Sequence, residues 1–307
     1  METFKKPIGK RKGGQYHGIL AICVLVFSTF LGFVPILLLG IMKLFPNRRW
    51  RLFCTRMVDV VASCWNSANN AYINRTQRTR WEVKGLENLS RKNWYLIIAN
   101  HQSWLDIVVL QRLFNRKIPV LKFFIKDQLK WVPLLGFAWW AMGCPFMKRY
   151  SKDYLAKKPH KKGKDLLATK KAIELFRQTP ATVMSFIEGT RFSAHKKHQQ
   201  QSPYSFLLKP KAGGISFVIG AMGQQFNSIL DVTIIYSNAN HSLWDFLCRR
   251  MDVIKVHIRQ LPIPKQFIGN SLLENQDTQE EFRNWLNRSW EEKDHLISHM
   301  KEPLGSA

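Results

Sequence analysis

The sequence predicts an α/β fold in which a sheet is flanked by helices, with an N-terminal membrane helix or helical hairpin attached to it. From about residue 81, short apolar runs alternate with amphipathic stretches, as strands and helices do when they pack in layers. Before that point, residues 19–42 carry no charged side chain, and a run of this length can cross a bilayer core as one helix. The run is too long for the apolar region of a signal peptide, and no small-residue cleavage site follows it.

Basic residues flank this apolar run on both sides. Lys5, Lys6, Lys10, Arg11 and Lys12 precede it, and Lys43, Arg48, Arg49, Arg51 and Arg56 follow it. Because positive side chains mark the cytoplasmic side, a hairpin that enters and leaves on one face satisfies both flanks. Gly32 and Pro35 are positions at which the run can bend. A single tilted span is the alternative, and either arrangement is expected to leave the larger C-terminal part in the cytoplasm, next to anionic lipid.

Periodicity predicts the remaining elements in chain order. Predicted helices cover residues 58–73, 107–114, 163–177 and 212–222, and predicted strands cover residues 94–99, 118–121, 181–187, 229–236 and 253–258. Residues 278–300 carry Phe282, Leu286 and Trp290 at steps of four, which predicts an amphipathic C-terminal helix. The chain therefore divides into a membrane-anchoring segment at 1–75, an α/β domain at 76–265 and a C-terminal helical segment at 266–307.

Charge and cysteine content narrow the possible partners. The chain has 47 lysines and arginines against 21 acids, a formal charge of +26, which favours nucleic acid, anionic lipid or phosphorylated substrates. The dense basic run at 157–164 is either a solvated turn or a contact with anionic headgroups. Five scattered cysteines without a CxxC pair support neither a zinc site nor a disulfide framework, and they favour a reducing compartment.

One candidate for chemistry is the stretch LIIANHQSWLD at residues 96–106. Its apolar run ends before His101, and Asp106 comes five residues later, so the two side chains can meet only if His101 precedes the helix. One interpretation is a capping box, with Ser103 as N-cap and Asp106 bonded back to a backbone N–H. The other has Asp106 accept a hydrogen bond from one ring nitrogen of His101, which leaves the second nitrogen as a general base.

A second candidate is the run Glu-Gly-Thr-Arg at residues 188–191, directly after a predicted strand. Gly189 permits a tight turn, and Arg191 can bind a phosphate group through two hydrogen bonds. The alternative interpretation is a strand end that carries a solvent-exposed ion pair.

A third candidate covers residues 126–149, which have basic residues at both ends and a tryptophan-rich middle. Lys126, Lys148 and Arg149 are candidates for neutralising a phosphate, while the apolar middle lies against acyl chains or the bilayer. Core packing with a basic fringe is the alternative.

Together, the runs NHQSWLD, GCPFMKR and FIEGTRF resemble, in that order, the conserved blocks of the glycerolipid acyltransferases, the 1-acylglycerol-3-phosphate acyltransferase family. The matching positions are His101 and Asp106 in the first block, Gly143, Phe146 and Arg149 in the second, and Glu188, Gly189, Thr190 and Arg191 in the third. The resemblance covers roughly residues 81–236. Ile187 and Thr233 stand where the family often has proline, which is similar to the branch of lysocardiolipin-type enzymes and bacterial inner-membrane acyltransferases.

The resemblance implies a mixed sheet and a membrane-bound enzyme that moves a fatty acyl group from a thioester to the free hydroxyl of a lysophospholipid. The implied acceptor is 1-acylglycerol-3-phosphate, with lysocardiolipin or another lysophospholipid as the alternative. His101 would be the general base and Asp106 its partner. The residues implied to hold the acceptor are Lys126, Arg149, Glu188, Gly189, Thr190 and Arg191. The co-substrate would be acyl-coenzyme A or acyl carrier protein, with no other cofactor and no metal, at a bacterial inner membrane with the catalytic domain on the cytoplasmic side.

Two other classes of function compete with this expectation. A basic, non-enzymatic protein that binds membrane lipid would also explain the charge, whereas binding to nucleic acid is not expected because no recognised module is visible. A thioester hydrolase would use the same base with water as the acceptor.

Overall fold

The computed structural model describes residues 14–123, 125–133, 135–144, 146–147, 179–238, 241–269, 272 and 275–301, apart from the side chains of residues 126, 135 and 147. Several predictions lie outside this part of the chain. They are the helix at 163–177, the basic run at 157–164, the basic residues before residue 14, and the roles of Lys148 and Arg149.

A six-stranded mixed sheet forms the centre of the protein, in the order β1-β8-β7-β2-β6-β3. Its strands are β1 (Arg80–Lys84), β2 (Tyr95–Ala99), β3 (Leu121–Phe123), β6 (Thr182–Phe186), β7 (Ser228–Tyr236) and β8 (Val253–Leu261). A separate pair consists of β4 (Ile125–Lys126) and β5 (Phe146–Met147). Strands β7, β2, β6 and β3 are parallel to their neighbours in that series, whereas β8 runs antiparallel to β7. The predicted mixed sheet is therefore confirmed.

Helices cover both faces of the sheet. They are α1 (Gly14–Met42), α2 (Arg48–Thr76), α3 (Leu105–Phe114), α4 (Leu135–Ala141), α5 (Ala194–Gln199), α6 (Ala212–Met222), α7 (Leu243–Leu247) and α8 (Gln276–Lys301). One apolar core joins alternate residues of the strands to α3 and to residues of α1, α2 and α7. A second core lies on the opposite face, where α6 and α8 pack. The alternation read from the sequence thus gives a layered α/β domain.

The predicted strands and helices within the described residues are confirmed in type and order, with two differences in bounds. Helix α2 begins at Arg48, ten residues before the helix predicted at 58–73. The run at 118–121 was expected to be a strand, but β3 begins only at Leu121. Pro119 explains the shift, because proline has no N–H to donate to a strand ladder. Strand β1 was not predicted, since its residues are all exposed or half-buried and it pairs only with β8 at the sheet edge.

Helix α1 continues through Gly32 and Pro35 to Met42, so the hairpin expected within residues 19–42 is not formed. An antiparallel hairpin is formed instead by α1 and α2. Ser28 donates a hydrogen bond to Asn69 over 2.7 Å, and Gly32 lies beside the ring of Trp65, so the α1 and α2 positions pair in opposite directions. Helix α1 is long and apolar enough to span a membrane, and it is the one such helix among the described residues. Three of the four buried residues of α1 are small, Gly18, Ala21 and Gly40, which lets α1 approach α2, α4 and α7 closely.

We expect the close packing of α1 on α4 to make Gly40 intolerant of a side chain. A Cβ there would lie 2.7 Å from Phe137 and 2.9 Å from Ala141, so Gly40→Ala should lower the free energy of unfolding by about 1–3 kcal/mol. A Cβ at the exposed helical Gly213 meets nothing within 4 Å, so Gly213→Ala should raise it by up to about 1 kcal/mol. Thermal unfolding in detergent compares the stability of the two variants with that of the wild-type protein. Equal shifts of the unfolding temperature in the same direction would contradict the close packing at Gly40.

Candidate active site

His101, Asp106 and the Glu-Gly-Thr-Arg run meet at one edge of the sheet because two neighbouring strands, β2 and β6, end there. Ala99, the last residue of β2, is in register with Phe186 at the end of β6 and with Val232 in β7. The three strands are parallel, so the turns that follow β2 and β6 leave the sheet side by side. This carboxyl edge is where open α/β sheets commonly bind ligands.

His101 and Asp106 form the expected pair. The Nδ1 atom of His101 lies 2.8 Å from Oδ2 of Asp106, whose side chain is fully buried. Since an ionised carboxylate only accepts hydrogen bonds, Nδ1 carries the proton and Nε2 has the free lone pair. The same Oδ2 accepts backbone N–H groups from Gln102 at 2.6 Å and Ser103 at 2.9 Å. The capping bond and the His–Asp bond therefore exist together.

The capping prediction is wrong in one detail. Helix α3 begins at Leu105, so its N-cap is Trp104 and not Ser103. The Ser103 hydroxyl accepts the N–H of Leu105 at 3.2 Å, one residue earlier than a capping box requires. The turn before α3 is tighter than a capping box because the Asp106 carboxylate accepts the backbone N–H groups of both Gln102 and Ser103.

The imidazole of His101 is held on several sides. Its ring stacks on Phe186, with 3.9 Å between ring centroids and 12° between planes, and its side chain is 14% exposed. Its backbone N–H donates to Oε1 of Glu188 at 3.0 Å, and its carbonyl accepts the N–H of Phe192 at 2.7 Å. The turn after β6 thus fixes the residue that follows β2.

Glu188 supports these turns from a fully buried position. Its two oxygens accept backbone N–H groups from His101 and, at 3.2 Å, from Leu208. Burial raises the pKa of Glu188 to about 7, while these hydrogen bonds and the charge of Lys293 act in the opposite direction. Both carboxylate oxygens are thus occupied by the protein, which fits a residue that positions the turn.

The C-terminal helix α8 contacts the same region from the face of the sheet on which α6 also packs. The indole N–H of Trp290 donates to the carbonyl of Leu208 at 3.0 Å. One turn later, the fully buried Lys293 donates to the carbonyl of Val232 at 2.7 Å and pairs with Asp231, both on β7. Burial lowers the pKa of Lys293, and the paired Asp231 opposes that shift. This helix is therefore part of the support of the site.

The rest of the Glu-Gly-Thr-Arg run forms an exposed basic turn. Gly189 has φ of 71°, the left-handed region that glycine adopts without strain. Lys196 donates to the hydroxyl of Thr190 at 2.7 Å and to the carbonyl of Arg191 at 3.1 Å. The guanidinium of Arg191 lies 5.3 Å from the ring centroid of Trp104, whose side chain is 60% exposed. Two cations thus lie in or beside the turn that is hydrogen-bonded to the backbone of His101.

The structure describes only part of the stretch 126–149 that was predicted to bind phosphate. Lys126 lies in β4, beside the strand that contains Phe146, but its side chain and all of Arg149 lie outside the described part of the chain. Gly143, which lies between Lys126 and Arg149 in the chain, has φ of 73°. The phosphate-binding roles of Lys126 and Arg149 therefore stay predictions.

Besides Lys196, Trp290 and Lys293, two residues next to the His101–Asp106 pair were not foreseen from the sequence. The side-chain amide of Asn100 pairs with the backbone of Ile234, donating at 2.9 Å and accepting at 2.8 Å. The hydroxyl of Tyr236 donates to Oδ1 of Asp106. Asn100 stands beside the motif histidine, which is a weak signal, whereas no local pattern marks Tyr236. Among the residues that the structure describes, no group of three His, Cys, Asp or Glu side chains could hold a metal ion.

Comparison with known proteins decides the family. The model of the family described as Acyltransferase matches residues 80–237, about half of the chain. The chain belongs to the acyltransferase family. The matched segment includes both turns of the site, and the resemblance seen in the three sequence blocks is confirmed. Assignment to the bacterial branch stays a prediction.

Named relatives of this acyltransferase-family protein include two animal proteins. The 1-acyl-sn-glycerol-3-phosphate acyltransferase epsilon of Mus musculus is 25% identical over 224 residues, which are 66% of this chain and 56% of that protein. Lysocardiolipin acyltransferase 1 of Gallus gallus is 21% identical over 302 residues, 94% of this chain and 74% of that protein. The chain thus spans little more than half the length of the first of these relatives.

A solved structure shares the fold of this acyltransferase-family chain. The 1-acyl-sn-glycerophosphate (LPA) acyltransferase PlsC from Thermotoga maritima superposes with a TM-score of 0.52 at 17% identity. The match covers 94% of this chain and 100% of that one. The predicted glycerolipid acyltransferase-like architecture, with an apolar N-terminal helix, is therefore confirmed as a fold.

We expect Glu188→Gln to loosen the turn that carries His101. An amide has one acceptor oxygen, so its NH2 group would face a buried backbone N–H, a loss of about 1–3 kcal/mol in the free energy of unfolding. Exposed Glu281→Gln on α8 is the control and should change it by less than about 0.5 kcal/mol. The unfolded side chain releases its proton at lower pH than the folded one, whose pKa is about 7. Chemical denaturation should therefore show that the free energy of unfolding of the wild-type protein declines as pH rises to and through about 7. Glu188→Gln has no carboxyl group to titrate there and should lack that decline.

Proposed function

We propose that this protein transfers a fatty acyl group from a thioester to the free hydroxyl of a lysophospholipid. The observation that carries the proposal is the His101–Asp106 hydrogen bond at an edge that also presents Arg191. A base next to a cationic surface suits an acceptor in which a hydroxyl and a phosphate belong to one molecule. The family and the names of the relatives support the same reaction class.

The chemistry follows from the protonation state of the pair. An alcohol attacks a carbonyl poorly until its proton is removed, and Nε2 of His101 accepts that proton as the oxygen attacks the thioester carbon. Asp106 stabilises the imidazolium that forms, because its carboxylate holds Nδ1–H. When the tetrahedral intermediate collapses, the carbon–sulfur bond breaks and the thiolate takes the proton from Nε2. The ester and the free thiol leave, and His101 is neutral again.

The acceptor phosphate is assigned to the basic turn after β6. Arg191 can bind a phosphate through two hydrogen bonds, and Lys196 lies beside it on α5. Lys126 and Arg149, at the two ends of the stretch 126–149, are proposed to bind the same phosphate. Binding the phosphate fixes the distance from the hydroxyl to His101, and such positioning can supply a large part of the rate enhancement.

We propose 1-acylglycerol-3-phosphate as the acceptor, so that the product is phosphatidic acid. Lysocardiolipin or another lysophospholipid is the second candidate, because lysocardiolipin acyltransferase 1 aligns over 94% of the chain. Acyl-coenzyme A and acyl carrier protein are the two candidate donors. No further cofactor enters the proposed reaction.

The α1–α2 hairpin is proposed to hold the catalytic domain at a membrane. One face of α1 exposes Phe27, Phe30, Leu31 and Leu38 by 57–66% each. The opposite face packs on the domain near both ends, with Gly18 against Cys248 and Gly40 against Phe137. A helix of 29 residues is about 43 Å long, so a crossing α1 would draw the domain into hydrocarbon. A hairpin lying in one leaflet, on the cytoplasmic side of a bacterial inner membrane, avoids that cost.

We expect His101→Ala to reduce acyl transfer by at least about 100-fold, the usual contribution of a positioned base. Asp106→Asn should also be strongly impaired, since an amide oxygen holds Nδ1–H without stabilising the imidazolium by its charge. The measurement is product formation by purified protein with a panel of lysophospholipids and both donors, and vesicle binding of the variants should be unchanged. Wild-type turnover by His101→Ala would refute the mechanism. Release of free fatty acid without a diacyl product would identify a hydrolase.

We expect the double variant Phe27→Glu/Phe30→Glu to bind vesicles at least about tenfold more weakly. Each exposed phenylalanine contributes roughly 1.5–3 kcal/mol when it enters an apolar phase, and each new carboxylate opposes entry. The control adds the same charges on the exposed face of α8, as Asn284→Glu/Asn287→Glu. Flotation with anionic phospholipid vesicles measures both. Equal loss in the two variants would mean that net charge, and not the α1 face, governs binding.

A further inference from the structure

We propose that Tyr236 is a positioning residue for the His101–Asp106 pair, so that the functional unit is a relay of three side chains, Tyr236–Asp106–His101. The inference rests on the acyl transfer proposed above. It concerns a residue outside the three sequence blocks, contributed by a strand that carries none of them.

Tyr236 completes the coordination of a buried carboxylate. Oδ2 of Asp106 accepts the ring N–H of His101 and the two backbone N–H groups before α3. Oδ1 accepts the hydroxyl of Tyr236, and the Asp106 side chain has no exposed surface. With donors on both oxygens, the carboxylate cannot rotate about its terminal bond without losing one of them. The tyrosine therefore fixes the plane in which Oδ2 meets Nδ1 of His101.

The reach of Tyr236 follows from the lengths of two neighbouring strands. Strand β2 ends at Ala99, in register with Val232, while β7 continues to Tyr236. The amide of Asn100 takes over the pairing with Ile234 after β2 has turned away. Strand β7 thus extends beyond the end of β2, and the hydroxyl of its last residue reaches Asp106 at the start of α3.

The hydroxyl is held as a donor. Tyr236 is 7% exposed, and burial together with the neighbouring Asp106 raises its pKa well above the ordinary value, so it keeps its proton. Its ring stacks on His241, with 5.2 Å between centroids and 9° between planes. Two further titratable groups lie nearby: Glu188, in the turn after β6, interacts electrostatically with Asp106, and Lys293 of α8 interacts with Glu188. Neither forms the bond to Oδ1.

The bond has a chemical consequence for the base. A donor on Oδ1 draws negative charge away from Oδ2 and so limits how strongly Asp106 stabilises the protonated imidazole. Without it, the carboxylate would have one buried oxygen unpaired and more charge directed at His101. The ring would then hold its proton more firmly, and its orientation would be less well defined.

The test compares Tyr236→Phe with Tyr95→Phe. Tyr95 is 1% exposed at the opposite end of β2, where its hydroxyl accepts the backbone N–H of Ser90 at 2.9 Å, so its loss also removes one buried hydroxyl. Tyr236→Phe should lower kcat about tenfold and leave KM for the lysophospholipid within twofold. The acidic limb of its kcat/KM profile should move to higher pH. Tyr95→Phe should keep the wild-type profile, and equal behaviour of the two variants would overturn the proposal.

A double-mutant cycle separates positioning from general support of the fold. In an Asp106→Ala background, Tyr236→Phe should have no further effect on kcat, because its partner is gone. A full tenfold loss in that background would overturn the relay.

A second measurement does not depend on acyl transfer. The rate at which diethyl pyrocarbonate modifies His101, followed by peptide mass spectrometry as a function of pH, reports how readily the ring accepts an electrophile. In Tyr236→Phe the midpoint of this rate should move to higher pH, with no movement in Tyr95→Phe. If wild-type protein shows no acyl transfer but the midpoint still moves, the proposed function fails and the relay stands. An unmoved midpoint overturns the relay whatever the activity.

Discussion

A buried carboxylate organises the active-site edge of this protein. Asp106 has no exposed surface, and an isolated charge in that position would be costly by several kcal/mol. It is tolerated because four donors converge on it, two from the backbone and two from side chains. Those donors come from the turn after β2 and from the end of β7, so satisfying one charge brings together two segments that are 130 positions apart in the chain. The same requirement gives His101 one tautomer and leaves one nitrogen for chemistry.

A second buried carboxylate has a comparable role on the neighbouring strand. Glu188 accepts backbone N–H groups from the His101 turn and from Leu208, and the segment at Leu208 is in turn bonded by Trp290 of α8. The C-terminal helix was predicted from its apolar stripe as a separate amphipathic segment. Its stripe does face the sheet, but Lys293 lies within the buried face and pairs with β7. A fully buried lysine breaks the helical pattern, and only the position of Asp231 on the sheet explains it.

Whether the sequence could predict a feature of this protein depends on how far apart in the chain the interacting residues are. Strands β2, β6 and β7 are mostly apolar, so their existence and order of appearance follow from local composition. His101 and Asp106 are five residues apart, and their hydrogen bond could be inferred from a strand–turn–helix reading. The bond from Tyr236 could not, because it depends on how far β7 extends beyond β2 once they pair. The predicted N-cap is one residue too early because the Asp106 carboxylate accepts the N–H groups of both Gln102 and Ser103, and the helix begins only at Leu105.

The hydrogen bonds that hold the site in place form a closed loop between α8, the His101 turn and β7. Lys293 and Trp290 are neighbours on α8, and they hold β7 at Val232 and the chain at Leu208 respectively. From Leu208 the hydrogen bonds pass through Glu188 to the backbone of His101, and from the His101 ring through Asp106 to Tyr236 at the end of β7. Each residue that orients the base is therefore itself held by a second element of the fold. Such an arrangement restricts the motion of His101 more than any one of its bonds would, while its side chain stays 14% exposed beside the turn in which Arg191 lies over Trp104.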